Sequence, residues 1–505
     1  MPSTNDLYDE LLGHWRKATL LASCASQLSW DEQTYLPPGG AAHRAEQLSL
    51  LAGMVHERLT SPRLGELLAE LEQHGDLGEP DGPRRANVRE GRRRYDRSTR
   101  LPTRLVEEIS RVTSLAQHSW VEARKNSRFE TFRPWLERII ALKREEAAAL
   151  GHGQGVPYDA LLDDYEPGAK TAEIAQVFAG LRKDLVPLVQ AIRNSSTRPE
   201  VSILSRRYPR DAQNSFARAA AAAIGFRFDE GRLDESPHPF CTGIGPGDCR
   251  LTTRYDERHF PGAFFGVLHE AGHGIYEQGL DRTAFGSPIG DAASLGIHES
   301  QSRMWENFVG RSRAFWTHFY PQAQGAFPEA LHGVGRDDFY AAVNDVRPSF
   351  IRVEADEVTY NLHIMIRFEL EQRLIAGDLA PADVPTAWNA AYTESLGITP
   401  PNDAQGCLQD IHWSGGLLGY FPTYALGNMY AAQMFEAARR TLGDLDALFA
   451  KGEFTPLREW LNVNVHRFGR QFVPSRLIER ITGAPLSHRP LVSHLKAKFE
   501  SIYRL

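Results

Sequence analysis

Apolar residues recur at steps of three and four along most of this 505-residue chain, a spacing typical of α-helices that bury one face. The pattern is clearest in three long segments of the first half, residues 5–30, 131–151 and 171–193. Groups of glycine, proline and aspartate separate such segments, and no fixed-period repeat, low-complexity tract or long linker lies between them. The sequence therefore predicts a mainly α protein built as one helical body.

Strand signals are confined to the middle of the chain. They lie around residues 226–233 (FRFDEGRL) and 248–256 (DCRLTTRYD), where the helical spacing is lost. Residues 236–247 (SPHPFCTGIGPG) are rich in glycine and proline and are predicted to be a connection. We expect a small β-sheet here.

Composition and charge exclude one class of partner. Hydrophobic residues make up 42% of the chain, enough for a large core, and the net charge of −7 comes from acids and bases mixed along the sequence. A nucleic-acid-binding domain would gather a basic excess on one face, so no nucleic-acid partner is expected. The eight arginines between Arg84 and Arg100 are predicted to form a solvated helix face paired with nearby acids.

The location of the protein is predicted from what its sequence lacks. The first residues have no apolar core or cleavage site of a signal peptide, and no apolar run reaches the roughly 18 residues that span a bilayer. The four cysteines show neither the spacing of a disulfide framework nor paired CxxC zinc motifs. We expect a cytoplasmic protein with reduced thiols and no membrane partner.

The segment HEAGH, from His269 to His273, predicts a catalytic metal site. Residues four apart share one helix face, so both imidazoles can reach a single ion. Glu270 is rotated by roughly 100° from His269, so it faces an open position and can take a proton from a metal-activated water. Two incidental histidines on a helix are the alternative.

A third ligand would distinguish these alternatives. The metzincin pattern needs a glycine and a histidine where this chain has Tyr276 and Gly279, so that class is excluded. Glu277 lies too far along the helix. After a breaker-rich stretch, Glu299 would complete a His₂Glu set with one position left for water, whereas His298 would give a three-histidine site. The two side chains point to different sides of their helix, so only one can face the metal.

Six short motifs resemble those of the M32 family of metallocarboxypeptidases, the thermostable carboxypeptidase type, and they occur in the family's order. They are HPF (His238–Phe240), DCRLT (Asp248–Thr252), HEAGH (His269–His273), HESQ (His298–Gln301), IRVEAD (Ile351–Asp356) and GCLQDIHW (Gly406–Trp413). Residues 28–48 are also similar to the family, so the resemblance spans nearly the whole chain.

The resemblance implies a single, mostly helical fold shaped like a saddle or clamshell, with a deep groove and a small sheet near the active site. It implies a homodimer that releases single C-terminal residues from peptides with broad specificity. In the family pattern His269, His273 and Glu299 bind the metal, which favours Glu299 over His298, and Glu270 is the general base. One zinc ion per chain is expected, and cobalt is an alternative.

Recognition of the peptide end is predicted for an arginine. The resemblance implies this role for Arg352, and a guanidinium suits it because it can donate two parallel hydrogen bonds to a carboxylate. An ion pair with Asp356, one turn on, is the alternative. Arg250 is a second choice for this role, and His238 is predicted to line the groove.

The oxyanion formed during hydrolysis needs donors besides the metal. By analogy with related helical zinc peptidases, we expect them to be His412, Tyr420 and Tyr424. Some related enzymes also place an acid four residues after the glutamate ligand to orient a histidine. Here that position is Arg303, and Asp291 is considered in its place.

We expect residues 1–505 to form a single peptidase domain. Residues 1–225 would be a helical N-terminal part and groove wall, and residues 226–505 the metal-binding and catalytic part. One rival interpretation is an oligopeptidase that cuts within peptides and needs no carboxylate-binding residue. The other is a binding module with a structural metal, which the open coordination position and Glu270 disfavour.

Overall fold

The computed structural model describes residues 3–73 and 76–505, and most of this described chain is helical. Its α-helices are α1 (Thr4–Thr34), α2 (Ala41–Leu59), α3 (Pro62–Gln73), α4 (Pro83–Arg100), α5 (Thr103–Lys125), α6 (Phe129–Leu150), α7 (Pro157–Tyr165), α8 (Thr171–Asn194), α9 (Arg210–Ile224), α10 (Phe260–Gly279), α11 (Leu295–Arg303), α12 (Arg313–Ala326), α13 (Arg336–Val343), α14 (Thr359–Ala376), α15 (Val384–Leu396), α16 (Pro422–Leu442), α17 (Leu445–Ala450), α18 (Thr455–Asn464), α19 (Pro474–Thr482) and α20 (Arg489–Tyr503). A π-helix, Met304–Gly310, follows α11 directly. The mainly α class is confirmed, and α1, α6 and α8 cover the three segments predicted to be helical. Among the described residues, no helix is both long and apolar enough to cross a membrane.

The first helix shows how the apolar spacing becomes packing. Ser3 caps α1 and exchanges hydrogen bonds with Asp6. Buried side chains of α1 pack in one cluster with leucines of α3: Leu7, Leu11, Trp15, Leu64, Leu67, Leu68 and Leu71. Because burying each leucine contributes about 2 kcal/mol, this stripe stabilises the helix more than its intrinsic propensity does.

The chain forms two compact units, each assembled from three separate segments. The first unit contains the chain up to Thr99, Glu200–Val343 and Met434–Ile481. The second contains Arg100–Pro199, Asn344–Gln433 and Thr482–Leu505. The expected single domain, divided in sequence into residues 1–225 and residues 226–505, stays a prediction.

A three-stranded sheet belongs to the first unit and consists of β1 (Gly231–Glu235), β2 (Cys241–Gly245) and β3 (Asp248–Thr253). β3 is central, parallel to β1 and antiparallel to β2. The small sheet is confirmed, but the prediction that residues 236–247 are only a connection is wrong, because they contain β2. Its glycines weaken the strand signal, and the strand forms because its backbone pairs with β3 across a tight turn at Gly247, where φ is +84°.

Two glycines allow α10 to pack closely inside the first unit. A Cβ on Gly272 would lie 2.6 Å from the carbonyl oxygen of Gln301 on α11. A Cβ on Gly274 would lie 2.6 Å from the ring of Phe226. The glycines of HEAGHG therefore bring α10 close to α11, which carries Glu299.

The arginine-rich segment forms α4, and its side chains pair with acids as predicted. Arg92 Nε lies 3.1 Å from Glu72, and Arg94 Nη2 lies 2.7 Å from Asp291. The Asp291 carboxylate thus pairs with an arginine of α4 and not with a metal-binding histidine, the partner considered for it above.

The second unit is built around α14, whose residues are mostly buried. This helix packs against α6, α7, α8 and α15. Arg367 and Glu371 on α14 are fully buried, so each charge needs partners inside the unit.

Candidate metal centre and substrate-binding residues

The three predicted metal ligands come together in the first unit. His269 and His273 lie one turn apart on α10, and Glu299 lies on α11. Glu299 Oε2 is 3.7 Å from His269 Nε2 and 3.5 Å from His273 Nε2. All three ligand atoms lie within 4.8 Å of one another, so the described residues contain a possible His₂Glu metal site.

The outer nitrogens of both histidines have partners, which leaves the inner nitrogens for an ion. His269 Nδ1 lies 2.9 Å from Glu306 Oε2, and His273 Nδ1 lies 3.1 Å from the carbonyl oxygen of His298. The carboxylate and the carbonyl only accept, so Nδ1 is the donor in each contact, and in the neutral imidazole that binds a metal Nε2 carries the lone pair on the side of Glu299 Oε2. Two imidazoles and one carboxylate with an open position fit a catalytic divalent metal.

Glu306 is a residue of this site that sequence reasoning missed. It lies on the π-helix, and Arg303 bridges it to Glu299: Arg303 Nε is 2.7 Å from Glu299 Oε1, and Arg303 Nη1 is 3.3 Å from Glu306 Oε2. Glu306 thus orients His269, the task for which Asp291 had been considered. Its spacing of seven residues from Glu299, two helical turns, was the available signal.

Burial and charge set the protonation of these groups. Burial alone would raise the pKa of Glu299, but Arg303, His269 and His273 outweigh it and hold the pKa far below its ordinary value. Burial lowers the pKa of His273 to about 3, so this imidazole is neutral at neutral pH, as a metal ligand must be.

Glu270 lies beside the ligands and is 7% exposed. Burial raises its pKa to about 7, although the charge of His269 opposes the shift. A carboxyl group with a pKa near neutrality can both take up and release a proton, which is the property that a general base and acid needs.

The first unit also contains two residues that were predicted to contact the substrate, Arg250 and His238. Arg250 on β3 is paired with Asp248, with Nε 2.8 Å from Oδ1 and Nη2 2.7 Å from Oδ2, and it lies over the ring of Trp30. The Nε and Nη2 groups of Arg250 are therefore both paired with Asp248. His238 is exposed, and its carbonyl oxygen accepts a hydrogen bond from Ser236.

Arg352 belongs to the second unit and is 5% exposed. Its charge is met by Asp410, whose Oδ1 lies 2.9 Å from Nε and 2.8 Å from Nη2, and Nη1 donates to the Tyr360 hydroxyl over 3.0 Å. Asp356 instead accepts hydrogen bonds from the backbone at the start of α14. The alternative pairing of Arg352 with Asp356 is not formed because Arg352 lies in a single 3₁₀ turn, where residues four apart do not share a face.

A second arginine shares the same carboxylate. Arg367 lies with Nε 2.7 Å and Nη2 2.6 Å from Asp410 Oδ2. Burial would raise the pKa of Asp410, but Arg352 and Arg367 hold it well below its ordinary range. Two guanidinium groups and one carboxylate leave a formal charge of +1 in this trio, which favours an anion nearby.

The three predicted oxyanion donors also come together in the second unit. His412 Nε2 lies 3.3 Å from the Tyr424 hydroxyl, and the Tyr420 ring centre is 5.3 Å from that of His412. Burial lowers the pKa of His412 to about 4, so its ring is neutral at neutral pH. Within the described chain, His412 Nδ1 is a buried nitrogen without a hydrogen-bond partner.

Glu371 holds the segment that carries these donors. One of its oxygens accepts from Trp413 Nε1 over 2.8 Å, and the other accepts from the Gly419 amide over 2.9 Å and from the Tyr158 hydroxyl over 2.5 Å. The segment between His412 and Tyr420 is therefore attached at both ends to one buried carboxylate. Sequence reasoning missed Glu371 because a glutamate within a helix carries no local signal of such a role.

A mainly helical fold that joins two imidazoles, a glutamate ligand candidate and a buried second glutamate is typical of the metallopeptidase class. The chain matches the family Carboxypeptidase Taq (M32) metallopeptidase over residues 10–499 and belongs to that family. It is 47% identical to Thermostable carboxypeptidase 1 of Thermus thermophilus, covering 98% of this chain and 99% of that protein. It is 40% identical to Carboxypeptidase 1 of Bacillus subtilis, covering 98% and 97%. The solved structure of the M32 carboxypeptidase from Deinococcus radiodurans superposes with a TM-score of 0.95 at 39% identity, covering 99% of this chain and all of that one. The chain is thus a metallocarboxypeptidase by family, and family membership implies a divalent metal.

Proposed function

We propose that this protein releases single C-terminal residues from peptides with broad specificity, using one divalent ion held by His269, His273 and Glu299. The observation that carries the proposal is the meeting of these three ligand atoms within 4.8 Å beside a buried glutamate. Zinc is the expected ion because two imidazoles and one carboxylate are its usual catalytic set, and cobalt(II) accepts the same ligands.

Glu270 is the proposed general base. When bound, the ion supplies a Lewis acid that polarises the scissile carbonyl and makes a water molecule acidic. Glu270 takes the proton of the attacking water and passes it to the leaving amine. Its burial beside the proposed ligands supports this role.

Arg352 is the proposed residue for the terminal carboxylate. The support is electrostatic: Asp410 neutralises only one of the two arginines beside it, and the uncompensated charge in a buried environment attracts an anion. His412, Tyr420 and Tyr424 are proposed to donate to the oxyanion, and the unpartnered Nδ1 of His412 supports a role in binding. Arg250 and His238 stay secondary candidates. Asp248 neutralises the charge of Arg250, whereas Asp410 is shared by two arginines, so Arg250 is the weaker choice for the carboxylate.

The test uses purified protein with matched peptides that end in a free carboxylate or in an amide. A carboxypeptidase releases one residue at a time from the free acid and acts poorly on the amide. Equal cleavage of both peptides, at internal bonds, would establish the oligopeptidase alternative instead. Bound metal without hydrolysis of either peptide would establish the binding module. The homodimer is carried into this proposal by family resemblance, and the cytoplasmic location stays a prediction.

A further inference from the structure

The outer face of His273 is covered by the imidazole of His298. Their Nδ1 atoms lie 2.6 Å apart, and the ring planes are inclined by 28° with centres 4.5 Å apart. His298 belongs to α11, directly before Glu299. His298 therefore contacts Nδ1 of His273, on the side opposite the proposed metal. The next residue on α11, Glu299, is another proposed ligand.

The far nitrogen of His298 meets a carboxylate. His298 Nε2 lies 2.8 Å from Glu277 Oε1. Glu277 is four residues after His273 on α10, so the imidazole of His298 spans one turn of that helix. The position of Glu277 along α10 excluded it as a metal ligand. In the structure its carboxylate instead contacts His298, which in turn contacts His273.

The direction of these hydrogen bonds follows from the carboxylate. Glu277 only accepts, so His298 Nε2 carries a hydrogen and a neutral His298 presents an unprotonated Nδ1. The Nδ1 hydrogen of His273 is therefore shared between that nitrogen, 2.6 Å away, and the carbonyl oxygen of His298, 3.1 Å away. Nε2 of the neutral His273 ring then carries the lone pair that lies 3.5 Å from Glu299 Oε2. This is the tautomer that a metal ligand requires.

We propose that Glu277 and His298 are positioning residues that hold His273 in its metal-binding tautomer and ring orientation. This inference rests on the proposed metal site. His269 reaches its carboxylate, Glu306, directly, whereas His273 reaches Glu277 through an interposed imidazole. The two ligands of HEAGH are thus oriented by two different carboxylates, one from the π-helix and one from α10 itself.

A glycine of the sheet lies close to the Glu277 carboxylate. A Cβ on Gly243 of β2 would lie 2.6 Å from Glu277 Oε2. Gly243→Ala would therefore displace the Glu277 carboxylate from its present position without changing any residue of the hydrogen-bond chain. It gives a second, independent way to break the same contact.

The test measures the zinc affinity of the metal-free protein by competition with a chelating dye. Loss of such outer partners weakens metal binding by about 10- to 100-fold, and we expect this for His298→Ala and Glu277→Leu. Glu277→Gln keeps an acceptor for His298 Nε2 and should recover much of the loss. Gly243→Ala should weaken binding in the same direction. Glu230→Gln is the matched control, because Glu230 pairs with Arg227 and Arg282 and touches no ligand.

A second readout is the visible absorption spectrum of bound cobalt(II), which reports ligand geometry. His298→Ala should shift its bands, whereas Glu230→Gln should leave them unchanged. The proposal is overturned if His298→Ala, Glu277→Leu and Gly243→Ala all bind zinc within twofold of the wild type and keep its cobalt spectrum. If the wild-type protein binds neither zinc nor cobalt, the proposed metal site itself fails, and the proposal fails with it.

Discussion

Arg303 and Glu299 lie one turn apart on α11, and Arg303 Nε donates a hydrogen bond of 2.7 Å to Glu299 Oε1. The other oxygen, Oε2, lies 3.5 Å from His273 Nε2 and 3.7 Å from His269 Nε2. Arg303 therefore binds one oxygen of the carboxylate, and the other oxygen faces both imidazoles and accepts a hydrogen bond from Ser302 over 3.1 Å. The same guanidinium also contacts Glu306, so one arginine supports the ligand and the residue that orients His269.

Arg303→Leu should lower the stability of the metal-free protein strongly. It leaves the buried carboxylates of Glu299 and Glu306 without this counter-charge, and breaking a buried pair costs about 3–5 kcal/mol. Calorimetry should show a lower Tm, with partial recovery on adding zinc because the ion replaces the lost positive charge. Arg303→Lys, which keeps the charge, should lose less. A Tm equal to that of the wild type would contradict the proposed role of Arg303.

Glu270→Gln should abolish most turnover while metal content stays the same. The amide cannot take a proton from water, and a positioned base contributes about 10²- to 10⁴-fold to the rate. Metal analysis and kcat on a free-acid peptide, measured on the same preparation, check both halves of this prediction. Wild-type kcat in a variant with full metal would exclude Glu270 as the base.

Glu299→Ala should lose metal on dialysis, and His298→Ala should lose less. Glu299 is the proposed ligand, whereas the nitrogens of His298 face His273 and Glu277. Elemental analysis after dialysis distinguishes the two variants. Full metal content in Glu299→Ala would point back to His298 as the third ligand.

Arg352→Ala should lose most kcat/KM on free-acid peptides while it retains metal. Removing one partner of a buried charge pair costs about 2–5 kcal/mol. Arg352→Lys should recover little, because an ammonium group cannot donate two parallel hydrogen bonds. Amidated peptides should already be poor substrates of the wild type and should be affected much less. Equal losses on both peptide types would mean that Arg352 supports the fold through Asp410 and does not bind the peptide end.

Glu371 should make stability depend on pH between about 4.5 and 7. Burial raises the pKa of Glu371 to about 7 from its ordinary 4.5, so the folded protein binds this proton more tightly than the unfolded chain. Its contribution is fully present below pH 4.5 and is lost as the pH rises toward 7, a change of about 3 kcal/mol. Glu371→Gln cannot titrate and should lack this component. Urea denaturation of both proteins at pH 5 and pH 8 measures it, and parallel pH dependences would exclude Glu371 as the source.

Local spacing was sufficient to predict the long helices and the arrangement within HEAGH. The steps of three and four in α1, α6 and α8 follow from the helical period, and so does the placement of His269 and His273 on one face. The position of Glu299 on a returning helix could be anticipated because a breaker-rich stretch separates it from α10. These inferences concern residues whose relation is set by the backbone geometry of a few turns.

Tertiary structure decided which partner each charged side chain meets. Asp410 is 58 residues from Arg352 in sequence, and Glu371 is 42 residues from Trp413. β2 exists because β3 offers it a backbone partner, although its own glycines argue against a strand. Glu277, excluded as a ligand by its place on α10, meets His298 only because Gly272 lets α11 pack closely against α10. Spacing along one helix predicts which residues share a face, but the contact across that face is set by how closely the elements pack, which depends on side chains from distant parts of the chain.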